Sequence, residues 1–285
     1  MSFHTGGLVM LSEMLDELPR SEKNIASYIL EHPQEAINMT ASDLGKASST
    51  SSAAVIRLCK SLDLKGFQEL KIRVAGDLQK TEEAGFRDIE PNESLHSITE
   101  KMTFNSIQTL RETAEILRAE ELEKAIKALA EAENVHFFGV GASAIIAQDA
   151  QQKWLRIDRN AFAFPDVHMA ATLVANTKPG DVVCGISFSG QTVEVTNIME
   201  LAKSKGATTI SLTKYGSSPV TELADIRLYT SATKEATFRS GATSSRLAQL
   251  HVVDILFMCL ASMKYDETIT HLDDTRAAID AIRKY

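Results

Sequence analysis

Cysteine is scarce in this chain, and the three present already narrow the architecture. Cys59, Cys184 and Cys259 lie far apart, without metal-ligand or disulfide spacing, each inside an apolar run. That excludes a disulfide-stapled secreted fold and a thiolate metal site, and predicts reduced core residues in a cytosolic protein. Positive charge is not in excess either. Lys and Arg number 30 against 38 Asp and Glu, for a formal charge of −8. Bulk charge therefore cannot drive polyanion binding, and any such contact needs a local patch. The N-terminus lacks a basic segment followed by an apolar signal core. No apolar run reads as long enough to cross a bilayer, so no membrane partner and a cytoplasmic location are expected. No histidine has metal-ligand spacing, no cofactor is expected, and no strong internal repeat is visible.

What is present is ordinary for a globular chain: 44% hydrophobic and 24% charged residues over 285 positions, enough for one large or two ordinary domains. The first segment, to about Lys80, reads as helices. Ser21 is placed to cap a helix carrying Ile25, Tyr28 and Ile29 and stopped by Pro33. Thr40 and Asp43 have capping-box spacing before Leu44. After a small-residue turn, Ser51 or Ser52 opens a helix with Val55, Leu58, Cys59 and Leu62 on one stripe. Charges, Gly85 and Pro91 mark a linker beginning at Thr81, and helical sequence returns from Leu95 to Glu133. From Val135 onward five strand-like runs alternate with helix-like runs. That is the pattern of an α/β domain with a mostly parallel sheet covered on both faces. The expected division is residues 1–80, a linker and helical coupling segment over 81–127, and the α/β domain over 128–285.

Two places carry candidate chemistry. On the helix from Ser51 to Leu62, the face opposite the apolar stripe holds Ser52, Ala53, Ile56, Arg57 and Lys60. Small residues at a helix start can approach base edges or phosphates, and Arg57 and Lys60 can reach bases or backbone. Lys46, Lys65, Lys71 and Arg73 add positive charge nearby, outnumbering Asp63 and Glu69. This fits a helix-turn-helix, with Thr40–Lys46 as positioning helix and Ser51–Leu62 as recognition helix. A plain helical bundle with a solvated basic face fits the same residues.

The second place is a pair of Ser/Gly turns, Gly139-Val140-Gly141-Ala142-Ser143 and Ser187-Phe188-Ser189-Gly190-Gln191-Thr192. Each follows a strand-like run and opens a helix-like run. Such turns direct amides and hydroxyls to one spot at the positive end of a helix dipole, which suits a phosphate. Each alone is explained by helix capping; two at strand ends of one open sheet favour a ligand crevice. The first turn also reads as G-x-G-x-x-A with Asp166 downstream, a loose dinucleotide fingerprint. The hydroxyls of Ser143, Ser187, Ser189 and Thr192 suit a phosphomonoester better. Glu194, Glu235, Arg239 and His168 are further polar candidates.

Together these residues resemble the RpiR/MurR family of bacterial transcription regulators, which joins a helix-turn-helix to a sugar isomerase (SIS) domain. The resemblance rests on Thr40-Ala41-Ser42-Asp43-Leu44, Ser52 to Lys60, Gly66 to Lys71 and both Ser/Gly turns. It implies an all-α helix-turn-helix domain followed by a SIS-type doubly wound parallel sheet. It implies a phosphosugar site with Ser143, Ser187, Ser189 and Thr192 on the phosphate, backbone at Gly141, Gly190 and Gln191, and Glu235 and His168 toward the sugar. It also implies contacts to operator DNA from Lys46, Ser51, Ser52, Ala53, Arg57, Lys60, Lys65 and Lys71. The implied function is a repressor of a sugar or amino-sugar operon, acting as a homodimer or homotetramer. Asp166-Val167-His168 and Arg239 to Arg246 look most like the branch that senses N-acetylmuramic acid 6-phosphate. The alternative is a phosphosugar isomerase or lyase with an accessory helical domain.

Overall fold

A computed structural model of the chain describes residues 5–78, 89–90, 92–231 and 243–283. The chain divides into two compact units. The first takes the residues up to Ile116 and returns to include Ser231; the second begins at Leu117.

The first unit is helical: α1 (Gly7–Met14), α2 (Arg20–Glu31), α3 (Pro33–Ala36), α4 (Ala41–Ala47), α5 (Ser52–Ser61), α6 (Phe67–Leu78) and α7 (Leu95–Ile116). Its core is the expected stripe of α5, Val55, Leu58 and Cys59, together with Ile25 and Ile29 of α2, Leu44 of α4 and Leu70 and Val74 of α6. Ser21 does not cap α2. Pro19 occupies the N-cap and offers no side-chain acceptor, so Ser21 falls one residue inside the helix. The N-terminus of α1 has no local cap either. Asp77 of α6 supplies one, accepting from the amides of Gly6 and Leu8 at 2.6 and 2.8 Å. α7 buries Asn105, Thr109 and Thr113 at four-residue spacing. Thr113 Oγ1 accepts from the amide of Ser231 at 3.2 Å, and Ser231 Oγ lies 2.8 Å from Glu112 Oε2 and 3.1 Å from Glu13 Oε1.

The second unit runs α8 (Ala119–Glu131), β1 (Val135–Gly139), α9 (Ala142–Leu155), β2 (Ala161–Ala163), α10 (Val167–Val174), β3 (Val182–Ile186), α11 (Val193–Ser204), β4 (Thr208–Lys214), α12 (Pro219–Glu222), β5 (Ile226–Thr230), α13 (Ser244–Met263) and α14 (Tyr265–Arg283). All strand pairs are parallel, in the order β2-β1-β3-β4-β5. Alternate residues serve opposite faces. Val135 and Phe137 join a core with Leu129 of α8, Trp154 of α9 and Leu256 of α13. Phe138 joins another with Val174 of α10, Met199 of α11 and Val220 of α12. Coverage on both faces explains why the strands read as unbroken apolar runs.

α8 packs into the sheet core, and by contacts the second unit begins at Leu117. α13 is long and apolar enough by composition to span a membrane, at mean hydropathy 1.4, although no run was read that way. Its Val252, Leu256 and Leu260 lie in the sheet core, and its Asp254 pairs with Lys153 at 3.0 Å. α14 had no sequence assignment at all.

Cys59 and Cys184 are buried as expected, whereas Cys259 is only half-buried. Burial pushes Cys59 up to about 11 and Cys184 up to about 12, far from reactive values. His136 on β1 is also buried, stacked on Phe162 with ring centroids 5.3 Å apart, and its Nδ1 has no partner. Burial lowers its pKa, against a smaller opposing pull from Asp181.

Candidate functional site

The sheet order places the phosphate candidates. β1 has β2 on one side and β3 on the other, so the connections leaving β1 and β3 run to opposite sides. A crevice at the carboxyl ends of those two strands is the usual ligand position in open α/β sheets. Gly139 pairs with Ile186, so the two Ser/Gly turns leave the sheet side by side.

The second turn is held by its own bonds. The amide of Ser187 donates to Leu212 and that of Lys214 donates to Phe188, tying the turn to the end of β4. Gly190 has φ +67°, and a Cβ there would come within 2.2 Å of Ser218 Oγ, so only glycine fits. Ser187 Oγ and Thr192 Oγ1 are 2.9 Å apart. Thr192 is the N-cap residue of α11, yet its hydroxyl meets Ser187 instead of capping the helix. At the first turn Gly141, with φ +61°, takes the N-cap of α9 and gives it no side-chain cap. The neighbouring helices α10 and α12 are capped, by Asp166 and by a Ser218–Thr221 capping box. Neither crevice helix carries a side-chain cap, an arrangement that favours an anion, although at α9 the amides of Ser143 and Ala144 donate to the Val140 and Gly141 carbonyls at 3.2 and 3.1 Å.

Two expected donors are engaged inside the turn. The amide of Gly190 donates to the Ser187 carbonyl at 3.0 Å, and that of Gln191 donates to Ser189 Oγ at 3.2 Å. Ser143 is buried, and its hydroxyl lies 3.3–3.4 Å from the side-chain amide of Gln249 on α13. Gln249 was not among the sequence candidates. It is a polar residue, 1% exposed, in an otherwise apolar stretch of helix. His168 is exposed in the first turn of α10, following the end of β2. Glu235 and Arg239 lie outside the described residues.

In the helical unit the geometry is that of a helix-turn-helix. Thr40 and Asp43 form the expected capping box on α4, and the Thr40 hydrogen bonds hold the Asp43 carboxyl below its usual pKa. Ser51 caps α5, its Oγ accepting from the amide of Ala54 at 3.3 Å. The turn passes so close to α4 that a Cβ at Gly45 would lie 2.7 Å from the Ser51 carbonyl carbon. Ser52, Ala53, Ile56, Arg57 and Lys60 are exposed on α5, and Lys46 is exposed on α4.

Two other cations of the expected patch, Arg73 and Lys71, are engaged within the unit. Arg73 is buried and bound to Glu69 at 3.1 Å and to the Thr5 carbonyl. Lys71 donates to the Met39 carbonyl at 3.0 Å and sits over the Phe67 ring. Lys65 is exposed just before α6, its backbone amide donating to Glu69. Arg57 leans back toward α2, its Nε 3.6 Å from the buried carboxylate of Glu22.

These two sites match two known domains in the same order. Residues 5–81 fit the helix-turn-helix domain of the rpiR family, and residues 128–259 fit the SIS domain. The chain is 51% identical to the uncharacterized HTH-type transcriptional regulator YbbH of Bacillus subtilis, over 98% of this chain and 99% of the relative. It is 31% identical to the HTH-type transcriptional regulator HexR of Pseudomonas aeruginosa, over 87% of each. Among solved structures it is similar to the Vibrio vulnificus NanR protein complexed with ManNAc-6P. There the TM-score is 0.61, with 26% identity over 97% of this chain and 98% of that one. The chain belongs to the RpiR family of helix-turn-helix transcriptional regulators that carry a SIS domain.

Proposed function

We propose that this regulator is a repressor whose hold on operator DNA is controlled by a phosphosugar bound at the β1/β3 crevice. One observation carries the reading: both Ser/Gly turns emerge side by side at the switch point, and both open helices without side-chain caps. In this reading the hydroxyls of Ser143, Ser187, Ser189 and Thr192 hold the phosphate. The backbone at Gly141, Gly190 and Gln191 shapes the cradle, and His168 and Glu235 meet the sugar. Gln249 orients the Ser143 hydroxyl.

The preferred ligand is an amino-sugar 6-phosphate, with N-acetylmuramic acid 6-phosphate first among them. The ManNAc-6P carried by the similar NanR structure supports that chemical class. The protein acts in the cytoplasm as a homodimer or homotetramer, with paired α5 helices reading two half-sites. The ligand shifts DNA affinity by binding the two DNA-affinity states unequally.

The test is a thermal-shift series with amino-sugar and hexose 6-phosphates, followed by gel shifts on a duplex enriched from a randomised library. A phosphosugar that stabilises the protein and changes duplex affinity is the expected outcome. Enrichment of no duplex, or duplex affinity indifferent to every stabilising phosphosugar, overturns the reading. Turnover of the bound phosphosugar by purified protein would establish the isomerase or lyase alternative instead.

A further inference from the structure

We propose that the open notch between α2 and the turn before α5 seats a phosphate of the DNA backbone, and that Arg57 serves this contact instead of a base edge. The inference rests on the reading that the helical unit binds a duplex. The notch has a volume of about 850 Å³, and Arg20, Ser21, Asn24, Ser49, Ser51 and Arg57 line it.

Its charge balance favours an anion. Two guanidinium groups line the notch, while the nearby Glu22 carboxylate is buried at 4% exposure. That carboxylate takes the Ser61 hydroxyl on one oxygen at 2.7 Å and faces Arg57 Nε with the other at 3.6 Å. Arg57 Nη2 reaches Ser21 Oγ at 3.5 Å. The guanidinium is thus drawn toward α2 and away from the outer face of α5, where a base edge would lie.

The neutral lining supplies donors. Ser51 Oγ already accepts from the Ala54 amide, so its own hydrogen is directed elsewhere. Ser49, held at φ +55° in the tight turn, and Asn24, exposed on α2, add a hydroxyl and an amide. A planar fork beside neutral donors matches the several acceptor oxygens of a phosphodiester. Ser51 also directly precedes Ser52 and Ala53, so a phosphate seated here fixes the register of the recognition helix against the bases.

With Arg57 assigned to the backbone, base reading falls to Ser52, Ala53, Ile56 and Lys60. Ile56 is 44% exposed on the outer face of α5, an apolar tip suited to a thymine methyl.

The experiment measures binding of the full-length protein to the library-enriched duplex and to a random-sequence duplex across a salt series. Arg20→Gln and Arg57→Lys are compared with wild type; Arg57→Lys keeps a cation beside the buried Glu22. Both variants are expected to weaken both duplexes equally, by about tenfold. Arg20→Gln should also lower the log–log salt slope by about one. Ile56→Ala should leave the slope unchanged and reduce only the preference for the enriched duplex. Wild-type binding with an unaltered slope and affinity in Arg20→Gln overturns the notch. So does a loss in Arg57→Lys confined to the enriched duplex, which returns Arg57 to base reading. Stabilisation by inorganic phosphate that Arg20→Gln abolishes, with the salt slope intact, overturns it in favour of a small-anion pocket. Failure of the wild type to bind any duplex is a different result and refutes the DNA-binding reading itself.

Discussion

In the proposed reading the two units hold a phosphate in opposite ways. The helical unit offers charge: Lys46, Lys60, Arg57 and Arg20 are exposed on or beside the reading face. The sheet unit offers shape. Its turns present neutral hydroxyls, first-turn amides and glycine at φ +61° and +67°. A charged surface suits a long polyanion that is held loosely at many points, and a neutral cradle suits one small monoester fixed in orientation.

Salt should separate the two most widely. Raising salt from 50 to 200 mM should cost duplex affinity about a thousandfold if six or more phosphates are engaged. Phosphosugar affinity, read by calorimetry, should change by no more than about threefold. Equal sensitivity of the two would dissolve the contrast. Next in size is Gly45→Val. Its side chain meets the Ser51 backbone, so α5 must shift, and duplex affinity should fall roughly a hundredfold. The phosphosugar thermal shift should persist; its loss would show that the sheet unit depends on the turn.

Ser189→Ala is the reciprocal probe. Phosphosugar affinity should drop about tenfold while binding of the ligand-free protein to duplex is unchanged. Gln249→Leu should weaken the phosphosugar by about fivefold, since Ser143 loses the partner that orients it. An unaltered affinity would remove Ser143 from the cradle.

The smallest effect concerns acid stability. Burial lowers the folded pKa of His136, so the unfolded chain binds its proton more readily. Stability from this residue is complete above the unfolded value near 6.5 and falls as pH drops below it. His136→Phe should therefore lose about 2 °C less in melting temperature than wild type between pH 7.5 and 5.5. An identical loss would place the acid lability elsewhere.

Local signals survived translation into structure, and remote ones did not. The Thr40–Asp43 box, the Ser51 cap, the α5 stripe and all five strands were legible, because each depends on residues a few positions apart. Gln249 was invisible as a site residue because its partner Ser143 is 106 positions away. Arg73 was counted in the basic patch, although Glu69 four residues earlier was a readable sign that its charge was already matched. Pro19 holds the N-cap in place of Ser21 because the helix starts at Arg20, two residues earlier than a Ser21 cap would set it.

Ser231 has a consequence for how this protein can be taken apart. It follows the last residue of β5, yet its amide and hydroxyl satisfy Thr113, Glu112 and Glu13. A gene fragment ending at Ile116 omits that serine and removes one hydrogen-bond partner from each of these three residues. Grafting the reader onto an unrelated sensor is therefore better served by a fragment that retains the downstream serine.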